Sequence, residues 1–351
     1  MTTLVTRSGQ LERLTRSGVA TVAAQEFRLR IRAGRWRWLL AAWTAVVIGF
    51  AVLLRLSLAA TDTTGDTRQV GPPLFGGTLL FVLGLALLVV PALTSQSVNG
   101  DRERGTLATL QVTLLSASEI GLGKLLAAWG AALSFLVLTV PVLVWAYVEG
   151  GVPIVNVVVS LLVVALLLGV VCALSLAWSA LFARSITSAL VSYLTVFALT
   201  IGTLIAFGLA TALTTDTATS TYVDQNGATQ TFESQQARTD RTWPLLAPNP
   251  FVVLADAAPR APITRNQTTG LTNDRPLDPL GNLSDALRDA RRGPQPPPTF
   301  VGGHEVQTQE PGPIWPYGLG FDVALGIGAV VLTIRLLRMP ARRLGRGVRV
   351  A

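Results

Sequence analysis

Six stretches of the chain, 38–60, 74–96, 125–148, 153–178, 187–213 and 314–337, are apolar sequence almost without charge, each more than 20 residues long. At about 1.5 Å of rise per residue, a helix of that length crosses a hydrocarbon layer of roughly 30 Å with some tilt. A soluble globule could not hide so much apolar surface. Half of the 351 residues are hydrophobic, 14% are charged, and the mean hydropathy is +0.51. The fold class this implies is an all-α polytopic membrane protein with six transmembrane helices. Spans three and four are separated only by Glu149-Gly150-Gly151-Val152, a tight reversal that the glycine pair permits.

Fixed charge sets the expected orientation. The first 36 residues carry Arg7, Arg13, Arg16, Arg28, Arg30, Arg32 and Arg35 and no apolar core of a secretory signal, so they are expected to stay in the cytoplasm. With six spans the far end is then also inside. The inner segments collect Arg102, Arg104, Lys124, Arg184 and the arginines from Arg335 to Arg349, whereas the short outer loops hold Arg68 beside Asp62, Asp66 and Glu149. That asymmetry reads as a multi-pass plasma-membrane protein with both termini cytoplasmic. The net charge of +8 belongs to this pattern and not to a nucleic-acid face, where cations would be interleaved with aromatic residues. The Arg-over-Lys bias hints at a bacterial source with a GC-rich genome.

One Cys (Cys172), one His (His304) and two Met are too few for a Cys/His metal site of the usual kinds within one chain. Cys172 lies inside an apolar run, which suits a buried, unreactive thiol. No G-x-S-x-G elbow is present. These counts lead us to expect neither a metal nor a catalytic residue in this chain.

Five segments follow: 1–36, a cytoplasmic arm with an amphipathic connecting helix; 37–213, spans one to five with an inner loop at 97–124; 214–313, a Pro- and polar-rich external segment; 314–337, span six; and 338–351, a basic cytoplasmic tail. In the arm, Phe27 and Ile31 stand one helical turn apart beside Arg28, Arg32 and Arg35, the pattern of a helix lying among lipid headgroups over Val19 to Trp36. Trp36 and Trp38 would then supply an interfacial belt. The external segment offers two short helices: one opened by Asn249-Pro250 ahead of Phe251, Val252 and Leu254, and one over 282–292 with Leu283 and Leu287 four apart. The rest is expected to be a partly ordered external cap.

The inner loop after span two is longer than a simple reversal needs. Gly105 breaks the charged run, Thr106 can cap a short helix with Leu107, Leu110 and Leu114 at helical spacing, and Ser116 with Glu119 three residues later forms a capping box leading to Lys124 and span three. A short helix on the inner membrane face, with acids at its start, suits the docking of a soluble partner.

In Glu103-Arg-Gly-Thr-Leu107, Thr113-Leu-Leu-Ser116, Glu119-Ile120 and Gly123-Lys124, the loop resembles the E-x-G-T-L … T-P-x-S-x-x-E-I-x-x-G-K signature of ABC-2 type permeases, the membrane subunits of one class of ABC exporters. Leu114 stands where that family usually has Pro, which implies a softer break before span three. The resemblance implies a coupling helix that fits a cleft in an ATPase, with Glu103, Gly105, Thr106, Leu107, Ser116, Glu119 and Lys124 in the ATPase-coupling positions. It also implies a closed assembly of two ABC ATPase subunits and two permeases, the second being this chain or a sister. The chain has no Walker A loop of its own: Gly123-Lys124 is followed by Leu125, with Ser118 where the first Gly should be. ATP and Mg are therefore expected on the partner, with no cofactor bound by this chain.

Arg55 and Asp322 are the ionisable residues well inside spans, both towards the outer leaflet. An ion pair between them is one expectation, and Arg55 reaching to the outer surface is the other. The few fixed charges in the spans fit a hydrophobic or amphipathic substrate: a drug, a natural product or a lipid. An ion-coupled secondary transporter, which normally carries several intramembrane acids or discontinuous helices, and a non-transporting membrane scaffold are the alternatives.

Overall fold

A computed structural model describes residues 15–32, 34–61, 70–103, 105, 116–223, 229–258, 279–294, 300–301, 304–305 and 312–338. Helix α1 (Arg16–Arg32) is followed by α2 (Gly34–Thr61) and α3 (Gly71–Thr94). After a turn comes the single-turn α4 (Asn99–Glu103). Next are α5 (Ala117–Val148), α6 (Ile154–Leu181) and α7 (Ser185–Leu213). The outer segment contains the strands β1 (Thr215–Val223) and β2 (Thr229–Ala237) and the helices α8 (Thr239–Thr242), α9 (Pro250–Ala257) and α10 (Pro279–Arg292). It ends in a short strand pair, β3 (Phe300–Val301) and β4 (His304–Glu305). Helix α11 (Trp315–Leu337) closes the described chain.

Among the described residues six helices are long and apolar enough to cross a membrane: α2, α3 extended through α4, α5, α6, α7 and α11. These six candidate spans, each close to its expected apolar run, suggest a multi-pass membrane protein; the arginine-rich end of the bundle is termed inner and the opposite end outer. Proline opens several helices, as at Pro72-Pro73, Pro250 and Pro316, where its missing N–H has no intrahelical partner to lose. Pro91 and Pro141 sit inside α3 and α5, and both helices continue through them. The reversal between α5 and α6 has Gly150 at φ 93° and Gly151 at φ 79°, left-handed values that only glycine adopts without strain. Gly71 is needed beside it, because a side chain there would run into the Gly150 carbonyl.

The core lies among α3, α5 and α6. Phe75, Leu79, Leu83, Phe135, Leu143, Leu168 and the free thiol of Cys172 are fully buried there. Helix α11 packs along α6, α2 lies against α3 and α5, and α7 joins the edge beside α6. Helices α2 and α7 keep most of their apolar side chains outward, among them Leu53, Leu56, Ile186, Leu190 and Leu213. In water such faces would aggregate, and in a bilayer they meet lipid tails.

The outer segment departs from the expected loose cap in two ways. First, β1 and β2 form an antiparallel hairpin in the register Thr215↔Ala237 to Val223↔Thr229, so the chain is not purely helical outside its spans. Second, α9 is not a surface helix. Val252, Val253, Leu254 and Ala255 are buried to 1% or less: Val253 and Ala257 pack with Val163 and Leu167 of α6 and Leu319 of α11, and Val252, Leu254 and Ala255 join the main core. Asn249 caps α9 by accepting the Phe251 N–H at 2.9 Å, as its sequence indicates. Its amide also donates to the Thr200 carbonyl at 2.7 Å. That carbonyl belongs to a π-helical turn, Ala198–Gly202, within α7, where the wider winding frees backbone acceptors.

Asp256 fastens this outer assembly. Its carboxylate accepts from the Ile314 and Trp315 N–H groups at 2.5 and 2.9 Å, from Arg288 Nε at 2.8 Å and from Ser284 at 3.1 Å. A carboxylate at a helix N-terminus answers both the orphan N–H groups and the helix dipole. Burial pushes the carboxyl up, but the Trp315 N–H, Arg288 and the Ile314 N–H outweigh it and hold Asp256 below the usual carboxylate range. Its stabilising contribution is therefore complete above the ordinary value of about 4 and fades as pH falls through the lower folded value. In the parent, amide exchange in α10 and the first turn of α11 is expected to quicken on acidification; Asp256→Asn should speed it already at neutral pH and abolish the acid-dependent step. Unchanged exchange at both pH values would remove Asp256 from this role.

Candidate functional site

The inner ends of the helices converge on the two flanks of the loop that the sequence singles out. Ser116 Oγ accepts the Glu119 N–H at 3.2 Å, and Glu119 Oε2 accepts the Ser116 N–H at 2.8 Å, so the expected capping box starts α5. The other oxygen of Glu119 does more. It accepts the Thr15 N–H at 2.8 Å and the Thr15 hydroxyl, which ties the start of α1 to the start of α5. The helices approach closely: a Cβ on Gly18 would lie 2.5 Å from Glu119 Oε1, and one on Gly123 would lie 2.5 Å from Val22 Cβ. Glycine at both positions is what admits the contact.

Two turns along α5, Lys124 is only 1% exposed. Its ammonium donates to Glu26 of α1 at 2.5 Å, to the carboxylate of Asp101 in α4, and to the Ser97 carbonyl at 3.1 Å. Three acceptors match the three N–H donors of an ammonium. One cation thus joins α1, the turn after α3, α4 and α5.

The first flank of the loop is fastened to the next pair of helices. The N–H groups of Val98 and Asn99 donate to Ser179 Oγ of α6 at 3.0 and 3.2 Å. Ser188 Oγ of α7 donates to the Ser95 carbonyl at 2.8 Å. Glu103 accepts from Ser185 Oγ at 2.6 Å and from its N–H at 3.4 Å, at the first turn of α7. Gly105 follows at φ 70°, exposed, where the chain leaves α4.

Of the sequence-singled coupling residues, Glu103, Gly105, Ser116, Glu119 and Lys124 sit on these flanks, with Glu119 and Lys124 turned inward. Thr106 and Leu107 lie outside the described residues. The arm differs in register from its expected amphipathic face. α1 ends at Arg32, so Arg35 belongs to α2. Gly18, Val19 and Val22 are its buried positions, Phe27 is half-buried, and Arg28, Ile31 and Arg32 are exposed. Trp36 is not an interfacial residue: it is 7% exposed and packs on Phe135 at 5.5 Å, while Trp38 stays 80% exposed.

The expected Arg55–Asp322 pair does not form. Arg55 Nε and Nη2 meet Glu149 Oε1 and Oε2 at 3.0 and 3.5 Å, because Glu149 closes α5 at the outer end and Arg55 can reach it along α2. Asp322 is 1% exposed, and neither carboxyl oxygen has a hydrogen-bond partner among the described residues.

Sequence reasoning passed over Thr15, Glu26, Asp101 and Asp256. The signal for the middle two was the one lysine of an arginine-rich chain at the edge of an apolar run, since a buried ammonium requires counter-charges. Among the described residues no group of three or more His, Cys, Asp or Glu could hold a metal ion. No family model matches the chain, and no curated protein matches it.

Removing one partner of a buried ion pair costs about 3–5 kcal/mol. Lys124→Met is expected to destabilise the detergent-solubilised protein by that order, read as a lowered thermal midpoint, and adding Glu26→Gln with Asp101→Asn should recover most of the loss. A single variant as stable as the parent would show that the three groups are not coupled.

Proposed function

We propose that the chain is the membrane-spanning permease subunit of an ABC exporter of the ABC-2 type. In this reading two separate ABC ATPase subunits hold ATP and Mg and dock on loop 101–124, and a second permease, this chain or a sister, completes the assembly. The chain itself is not an enzyme and lies in the plasma membrane with both termini cytoplasmic, as its arginine asymmetry indicates.

The observation that carries the reading is the fastening of both flanks of the signature loop. One flank holds α6 and α7 through Ser179, Ser185 and Ser188, and the other holds α1 and α5 through Glu119 and Lys124. A load applied to the loop from the cytoplasm therefore reaches four helices at once. Such a linkage lets ATP binding favour one arrangement of the spans over another, the thermodynamic requirement for a driven switch. A groove of about 270 Å³ between α5, α6 and α11, lined by Trp129, Val170, Val323 and Val330 without a charged side chain, supports a hydrophobic or amphipathic substrate.

One observation favours an ion-coupled carrier instead: the unpartnered carboxyl of Asp322. Two measurements separate the readings. Affinity purification from native membranes is expected to bring down a Walker-motif ATPase in equal amount, lost on changing Glu103→Lys with Thr106→Ala; a clean preparation without one would sink the exporter reading. Asp322→Asn should leave ATP-dependent transport intact, whereas abolished transport under an ion gradient would favour the carrier.

A further inference from the structure

A second concavity, of about 330 Å³, lies where α1 meets α2 beneath the end of α3. It is lined by Arg30 and Arg35, by the apolar Trp36, Leu39 and Leu93, and by the Gln96-Ser97 turn. Two carboxylates, Glu26 and Asp101, also line it, but both are bound to the Lys124 ammonium. Counting Lys124, three cations meet two acids, so the site is left one positive charge in excess. Among the described residues neither arginine forms a direct ion pair; the Glu26 carboxylate attracts Arg30 from farther off but is already bound by Lys124, and the one hydrogen bond is a long one, Arg30 Nη2 to Ser97 Oγ at 3.5 Å. Arg30 is nevertheless half-buried, and a guanidinium with five donors taken partly out of water calls for a strong acceptor.

Position selects among acceptors. The concavity sits at the arginine-rich end of the spans, where headgroups lie, and its apolar wall belongs to α2 and α3, which run on into the hydrocarbon. We propose that this concavity is a binding site for one anionic phospholipid of the arginine-rich leaflet, its phosphate between Arg30 and Arg35 and the start of its acyl chain along Leu39 and Leu93. Bound there, the lipid bridges α1 and α2 on the far side of Glu26 from Lys124, next to the linkage that the proposed coupling uses. The site does not depend on that function being right.

The test uses the full chain in nanodiscs of phosphatidylcholine with a small fraction of phosphatidylglycerol, followed by native mass spectrometry of retained lipid. The parent is expected to keep one phosphatidylglycerol per chain. Arg35→Gln, an exposed position whose change leaves the core untouched, should weaken retention roughly tenfold, the value of one charge-assisted hydrogen bond. Arg30→Lys should weaken it less than Arg30→Gln. Arg28→Gln removes the same charge from α1 outside the site and should change nothing. Equal losses for Arg28→Gln and Arg35→Gln, equal retention of phosphatidylcholine, or thermal stabilisation by inorganic phosphate matching that by phosphatidylglycerol would each overturn the assignment.

Discussion

A lysine ammonium cannot be buried alone, and the inner end of this protein is arranged around that constraint. Transfer of an unpaired charge into a low-dielectric interior costs several kcal/mol even after relaxation. Lys124 escapes this cost because Glu26, Asp101 and the Ser97 carbonyl surround it. The acceptors come from two stretches distant from Lys124 in sequence, Glu26 and the segment from Ser97 to Asp101, so satisfying one ammonium fixes α1, the turn after α3 and α4 relative to α5. Glu119, one turn earlier in α5, repeats the device with the opposite sign by holding Thr15. Apolar helices slide past one another at little cost in lipid, where no hydrophobic force drives them together. Polar knots of this kind give such helices a fixed register.

The outer end has its own knot of the same type. Asp256 is the buried charge there, and its acceptors' worth of donors comes from α10 and the first turn of α11. Between the two knots α3, α5 and α6 form a dense apolar body, while α2 and α7 lie on it with their outer faces bare. Specificity of packing is thus concentrated at the two membrane surfaces, where a hydrogen bond can be completed and where partners, lipids or solvent can act on it.

The six spans were legible in the sequence because apolar length is a one-dimensional property. The Ser116–Glu119 box and the Asn249 cap were legible for a similar reason, being contacts within four residues. What sequence reading missed is of longer range. Glu26 and Lys124 are 98 residues apart and Asp256 and Trp315 are 59 apart, and no local pattern brings them together. Of the two readings of Arg55, the pairing with Asp322 failed in the same way: depth in the membrane is readable from position along a span, but which helix stands beside which is not. Arg55 and Asp322 were placed in one leaflet, yet Glu149 lies nearer on the neighbouring α5. The hairpin was a different kind of miss. Thr-rich runs flank Asn226-Gly227 in the sequence, a recognised hairpin signal, but a Pro- and polar-rich context favoured reading the segment as irregular.

The π-helical turn of α7 links the two ends of the molecule. Its freed carbonyl at Thr200 is held by Asn249, the residue that also starts α9, and α7 begins at Ser185, held by Glu103. Helix α7 is therefore gripped at its inner end by the loop flank and part-way along by the outer segment, and between them Tyr193 donates to the Leu88 carbonyl of α3 and Trp178 of α6 donates to Thr195. A π turn allows local rewinding, since the extra residue can shift along the helix without breaking the backbone ladder on either side.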